Sequence, residues 1–295
     1  MQGCSWDEES DEKLAVNLKP EELIKLQCKA EFSEFQRQRL DKDSKKNWDL
    51  FYKRNGDRFF KNRYWTRHEF VELFRSNNNN KDLLYLLEVG CGCGDFVLPL
   101  LENVDKTDDQ EDVKVPEQLF IYCCDISDQA VNILKSNPMY QKHHPSRISA
   151  FTADISKSID LQIQCDNKQV DIVSLVFVLS AIDPRNMATA VSNVYNVLKP
   201  SGLVLFRDYA IYDKAMLRFN TKSKICDKFY VRQDGTRAYF FSKTELIDLF
   251  HRYNFVVESI EHVQRETINN STGDKFSRIF LQAKFRKPLN NERYP

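Results

Sequence analysis

The sequence predicts an α/β fold built on a mainly parallel, seven-stranded sheet with helices on both faces. Three observations carry that expectation. From residue 83 onward short apolar runs alternate with helix-like segments, as in chains of successive β-α units. The first run, LLYLLEV (83–89), is continuously apolar, as a strand covered on both faces must be. A glycine-rich loop, GCGCGD (90–95), follows it directly, at the strand end where open α/β sheets bind ligands.

Residues 1–19 are acidic and predict a disordered start, and 20–80 read as a helical extension before the main domain. Pro20 followed by Glu21 and Glu22 is a helix start, because proline suits the first turn and acids suit its dipole. Leu23, Leu26, Ala30 and Leu40 recur near helical spacing up to Lys46. NWDLFYKRNGDRFFKNRYW (47–65) sets seven aromatics among basic residues, and Trp48 and Tyr52 share one helix face. Thr66 and Glu69 have capping-box spacing before HEFVELF, and SNNNNKD (76–82) reads as a linker.

The main domain should span 81–288, with a tail at 289–295. Its further strands are expected at LFIYCC (119–124), RISAFTA (147–153), VDIVSLVFV (170–178), LVLFRD (203–208), FVVESIEHV (255–263) and SRIFLQAKF (277–285). Helices are expected near 95–103, 128–136 and 186–198, and over TELIDLFHRY behind a Ser242–Glu245 capping box. No helical segment separates the last two strands, so the last should run antiparallel. Residues 209–241 interrupt the pattern after the fifth strand and predict a β-hairpin turning at Asp234-Gly235.

Hydrophobic residues make up 42% of the 295-residue chain and charged residues 29%, with eight cysteines and zero formal net charge. No apolar stretch approaches the roughly 20 residues that span a bilayer, and no basic leader opens the chain. The thiols then predict a reduced, cytoplasmic or nuclear setting. Charge is unevenly distributed. Arg37–Arg67 holds eleven Lys/Arg against four acids and Arg207–Arg237 eight against four, while 1–22 and 102–117 each carry seven acids and two lysines. Overall neutrality therefore does not exclude a nucleic-acid partner.

In the glycine loop the third glycine comes one residue too early for a dinucleotide turn, and Asp95 follows it. An acid there repels a pyrophosphate at a helix N-terminus, and there is no P-loop lysine. The loop suits S-adenosylmethionine, which carries a sulfonium and no phosphate. Asp125, closing the second strand, is placed to accept from its ribose diol, and Asp154, after the third, from its adenine amino group. Ile126 and Ile155 can cover the adenine faces, Gly90 and Gly92 admit close approach, and Glu88 is a further acid. These features specify a class I methyltransferase fold of the Rossmann-like kind. A metal is not expected: Cys91-x-Cys93 is too tight for ordinary ligand spacing, and Cys123 and Cys124 must point to opposite faces.

KNWDLFYKRN, LLEVGCGCGD, FVLSAIDP, LFRDYAIYDKAMLRF and FYVRQDGTRAYFF together resemble the eukaryotic tRNA 3-methylcytidine methyltransferases of the methyltransferase-like group. The resemblance covers about residues 32–287. RQDGT points to the branch associated with serine tRNAs and seryl-tRNA synthetase; the threonine-tRNA branch tends to RGDGT. The resemblance implies cofactor contacts at Trp48, Tyr52, Gly90, Asp125, Asp154, Ile155 and Val176, and reaction in the anticodon loop. The acidic 103–117 insertion departs from the family pattern.

Cytosine N3 already bears an in-plane lone pair, so positioning should dominate over base catalysis, and the target must be unpaired. The product is cationic, so a carboxylate beside it helps. Asp208 is the candidate, flanked by Arg207 and Tyr209; an ion pair with Arg207 or Arg237 is its structural alternative. Phe177 or Tyr209 can stack on the base. Lys53, Arg54, Arg58, Arg218, Tyr230, Arg232 and Arg237 are the candidate tRNA contacts. Neutral charge predicts weak binding to free tRNA, with seryl-tRNA synthetase adding contacts to a protein monomeric by itself. A protein methyltransferase acting on lysine, arginine or histidine, or a non-catalytic partner subunit, are the alternatives. An arginine-rich acceptor side disfavours the first, and intact acids at 125 and 154 the second.

Overall fold

The computed structural model describes residues 9–16, 18–30, 32–63, 65–74, 83–104, 119–268 and 275–289. Strand periodicity sorts its core into two layers. In β1 (Leu84–Val89), Leu86 packs into one layer while Leu87 and Val89 pack into the other. Cys123 and Cys124 of β2 (Leu119–Asp125) divide likewise, as do Leu205 and Phe206 of β5 (Leu198–Tyr209). Adjacent strand residues face opposite sides, so each apolar run feeds both layers, and helices cover both.

With β3 (Ile148–Thr152), β4 (Val170–Val176), β9 (Val256–Ile268) and β10 (Lys275–Arg286), the seven strands lie in the order β3-β2-β1-β4-β5-β10-β9. β1 to β5 pair in parallel, and β10 runs antiparallel between β5 and β9. The predicted antiparallel last strand is therefore observed. It inserts beside β5, bringing Phe280 opposite Tyr209 and Leu281 opposite Asp208. Strand order reverses between β1 and β4, which opens a crevice at the carboxyl edge.

The segment after β5 forms a separate sheet of three strands, β6 (Lys224–Cys226), β7 (Phe229–Val231) and β8 (Arg237–Tyr239), in place of a lone hairpin. The turn is where it was expected: Gly235 has φ +80, and Asp234 Oδ1 accepts from the Thr236 N–H at 2.9 Å and hydroxyl at 2.7 Å. Ser242 and Glu245 form their capping box on the helix Lys243–His251.

Three expectations need correction. Within the start that was expected to be disordered, Glu9–Ala15 form a helix, α1, and Asp11 accepts from the Lys243 N–H at 3.0 Å and pairs with His262 at 2.9 Å. Residues 1–8 lie outside the described residues, as do Arg75 and the linker 76–82, residues 105–117 of the acidic insertion and the tail from 290. Second, the helical spacing from Pro20 to Lys46 is not continuous but divides among α2 (Pro20–Gln27), α3 (Glu34–Lys42) and the start of α4 (Ser44–Asn55). Pro20 does sit in the first turn of α2, and Ser33 caps α3. Third, Thr66 and Glu69 form no capping box, because Glu69 is drawn to Arg207 and Arg265. The result is a four-residue helix followed by a single 3-10 turn at Val71–Leu73. Among the described residues no helix is long and apolar enough to cross a membrane.

Candidate cofactor and acceptor site

A cavity of about 850 Å³ occupies the carboxyl edge between the sheet, α4 and the insertion. All nine residues expected at the cofactor line it: Trp48, Tyr52, Gly90, Gly92, Asp125, Ile126, Asp154, Ile155 and Val176. Its two halves are built differently.

Over β3, β2 and β1 the glycine loop sets the geometry. Gly90 and Gly92 have φ of +67 and +53, and a Cβ on Gly92 would stand 2.6 Å from the Tyr52 hydroxyl. Only glycine admits both that backbone and that approach. Asp125 is fixed by backbone donors: Gly92 N–H to Oδ2 and Ser127 N–H to Oδ1, both at 2.9 Å. Burial pushes its carboxyl up to about 6 against those two hydrogen bonds. Asp154 Oδ1 takes the Ser156 N–H at 3.0 Å and hydroxyl at 2.6 Å. Asp95 is a third carboxylate on this half. Helix α4 closes it from above. Trp48 and Tyr52 lie 6.0 Å apart between ring centroids, and Asp49 accepts from the Ser127 hydroxyl at 2.7 Å and the Gln129 N–H at 3.1 Å. Glu88 takes no place on the cavity surface. It is 2% exposed, with one carboxyl oxygen unpartnered, and burial pushes its carboxyl well above the ordinary range.

Over β4, β5 and β10 aromatics and arginines take over. Tyr209 is the hub, with ring centroids at 5.2 Å from Phe177, 6.1 Å from Phe280 and 5.7 Å from Phe240. The guanidinium groups of Arg278 and Arg232 stand over its ring at 5.5 and 5.9 Å. Phe177 has φ +62, a conformation that costs a non-glycine residue on the order of 1–3 kcal/mol and is a mark of functional sites. Its N–H donates to the Arg207 carbonyl at 2.8 Å, and Arg63 lies 5.3 Å over its ring. Arg54, Arg218 and Arg232 border a second, open depression that shares Arg218, Phe219, Arg232 and Asp234 with the cavity.

Several acceptor-side expectations change. Asp208 is fully buried beneath the cavity surface and pairs with neither Arg207 nor Arg237. Its oxygens accept from the N–H of Ser180 and of Tyr209, each at 2.9 Å. Burial pushes its carboxyl up to about 6, opposed by Ser180, Tyr209 and the charge of Arg232. Arg207 points to the other layer, 3% exposed, bonded to Glu69 and stacked 4.1 Å from the Trp65 centroid. Tyr230 is 4% exposed and stacked on Phe219 at 4.9 Å, so it is insertion core and not an RNA contact. Arg237 touches the cavity but is held by Asp41 at 2.9 Å and Ser44 at 3.3 Å. Lys53 and Arg58 are exposed outside the cavity. Arg278 and Phe280 were missed; their i, i+2 spacing in SRIFLQAKF shows a shared face, but not that the strand lies beside β5.

All seven described cysteines are free, and burial pushes Cys93 up to about 12. Among the described residues no cluster of His, Cys, Asp and Glu is arranged to hold a metal.

Comparison with known proteins agrees with this geometry. A family profile described as a methyltransferase domain matches residues 87–204. The human tRNA N(3)-cytidine methyltransferase METTL6 is 45% identical over 259 residues, covering 88% of this chain and 86% of its own length. The Drosophila melanogaster tRNA N(3)-methylcytidine methyltransferase Mettl2 is 35% identical over 286 residues, covering 96% of this chain and 82% of its own. Among solved structures, a SAM-dependent methyltransferase from Anabaena variabilis shares the fold with a TM-score of 0.59 at 14% identity, over 88% of this chain and 97% of its own.

Proposed function

The chain belongs to the tRNA N(3)-cytidine methyltransferase family, and from that premise we propose that it forms 3-methylcytidine in the anticodon loop of serine tRNAs, with S-adenosylmethionine as methyl donor. The observation that carries this reading is the division of one cavity into a carboxylate half and an arginine–aromatic half that meet at Val176 and Phe177. The first matches a cationic cofactor without phosphates, and the second an anionic strand presenting a flat base.

The residues fit the cofactor. A Cβ on Gly90 would strike Val178 at 2.5 Å, so the loop backbone there has room only for glycine. Asp125 would hold the ribose hydroxyls, Asp154 the adenine amino group, and Ile126 and Ile155 the adenine faces. Trp48 and Tyr52 would shut the site from α4. When bound, the cofactor supplies an electrophilic methyl on a sulfonium sulfur.

The acceptor half then needs to orient N3 and tolerate the cation that results. Phe177 and Tyr209 offer faces on which cytosine stacks. Asp208 acts through Tyr209 and Ser180, whose N–H groups it fixes, and brings one negative charge beneath the site. Arg54, Arg218 and Arg232, with Lys53 and Arg58 outside the cavity, are the phosphate contacts of this reading. Their number is modest and the chain is neutral, so seryl-tRNA synthetase supplies further contacts to a monomeric enzyme in the cytoplasm and nucleus.

Incubation with S-adenosylmethionine and total tRNA, with and without seryl-tRNA synthetase, followed by nucleoside mass spectrometry, tests the proposal. 3-Methylcytidine is expected in serine tRNAs and is stimulated by the synthetase. Absence of the product in both arms would overturn it.

A further inference from the structure

Helix α4 ends at Gly56, whose φ of +59 turns the chain back and presents residues 57–61 at the rim of the cavity. Phe59 there is 58% exposed, although it borders the cavity. Exposed phenylalanines are ordinary; this one is held in place. Its edge contacts to Phe51 and Phe60, at centroid distances of 4.8 and 4.9 Å, give the ring a rigid backing, and Phe51 itself is 6% exposed. Lys53, Arg54, Arg58 and Lys61 around it are all exposed, with Asp57 as the single acid from 53 to 61. A fixed aromatic face inside a cationic rim is how single strands are held without reading their sequence.

We infer that Phe59 is a stacking platform for an unpaired base next to the methylated cytidine. This rests on the proposed tRNA reading and adds a subsite to it. The cytidine must leave its stack to enter the cavity, which leaves its neighbour without a partner face. Phe59 supplies one, and the surrounding cations hold the connecting phosphates. Charge favours a nucleic-acid strand over an apolar protein segment, which would have to bury four cations at this rim.

The test uses the full chain, a synthetic RNA stem-loop with the acceptor cytidine, and three variants. Phe59→Leu keeps apolar packing on Phe51 and Phe60 but removes the π face, Phe59→Ala removes both, and Phe59→Trp enlarges the face. We expect Leu and Ala to raise KM for the RNA about tenfold with kcat and cofactor Kd within about twofold, and Trp to match or improve on the wild type. RNA should also quench the fluorescence of the indole that Phe59→Trp introduces. KM for Phe59→Leu within twofold of wild type, equal loss in Phe59→Trp, or a loss seen only when synthetase is present would each overturn the inference, the last in favour of a protein contact. If wild type itself methylates no RNA, the tRNA reading fails first and separately.

Discussion

The two halves of the cavity edge use one sheet in opposite ways. Over β3, β2 and β1 the functional groups are carboxylates, partly or fully buried, and the chain's own N–H groups hold them, as Gly92 and Ser127 hold Asp125. Over β4, β5 and β10 they are aromatics and arginines that contact one another around Tyr209. The lesson lies in what each ligand can repay. A small cofactor enclosed once can offset the desolvation of buried acids through directed hydrogen bonds. A long anionic strand is held by many partly exposed charges and flat faces, each adding little.

The largest effect that would break this comparison is at Asp125. Asp125→Ala should weaken S-adenosylmethionine binding by on the order of a hundredfold by calorimetry, since hydrogen bonds to a charged group are worth about 1.5–3 kcal/mol each. Unchanged binding would mean that the acidic half is not the cofactor's.

Next is Asp208. Asp208→Asn should lower kcat about a hundredfold while cofactor Kd stays within about twofold; equal loss of binding would merge the two halves into one. The same acids set the pH response. Burial pushes both Asp125 and Asp208 up to about 6, so falling pH protonates them well before ordinary carboxylates. Turnover should therefore be full at about pH 7–8 and decline as pH falls through about 6, where unperturbed acids near 4 would leave it intact. A flat profile down to about pH 5 would contradict those environments.

The smallest effect sharpens the comparison. Arg232→Gln should raise KM for tRNA about five- to tenfold, reduce the slope of log K against log salt by about one, and leave cofactor binding alone. A change in cofactor affinity would place Arg232 on the wrong half.

The same contrast governs what could be read from the chain. The placement of Asp125 and Asp154 on the cavity was legible because one closes its strand, the other comes two residues after its strand, and the glycine loop fixes which edge is used. The two-layer core was legible from the same alternation. The acceptor half was legible only in composition. Arg237 reads as a free cation until Asp41, 196 positions earlier, arrives beside it. Tyr230 looks exposed until Phe219 stacks upon it. Arg278 and Phe280 enter the site through an antiparallel pairing across an insertion, which no local pattern reports. Arg207 and Asp208 are neighbours in sequence, and strand pleating alone sends them to different layers.

Helix α4 is fastened to both halves at once: Asp49 to Ser127 and Gln129 at one, Asn47 to the Gly235 carbonyl at 3.0 Å at the other. A twelve-residue helix behaves as a stiff beam, so it cannot lift from one support without straining the second. Any displacement of α4 that opens the carboxylate half of the cavity therefore also disturbs the arginine–aromatic half.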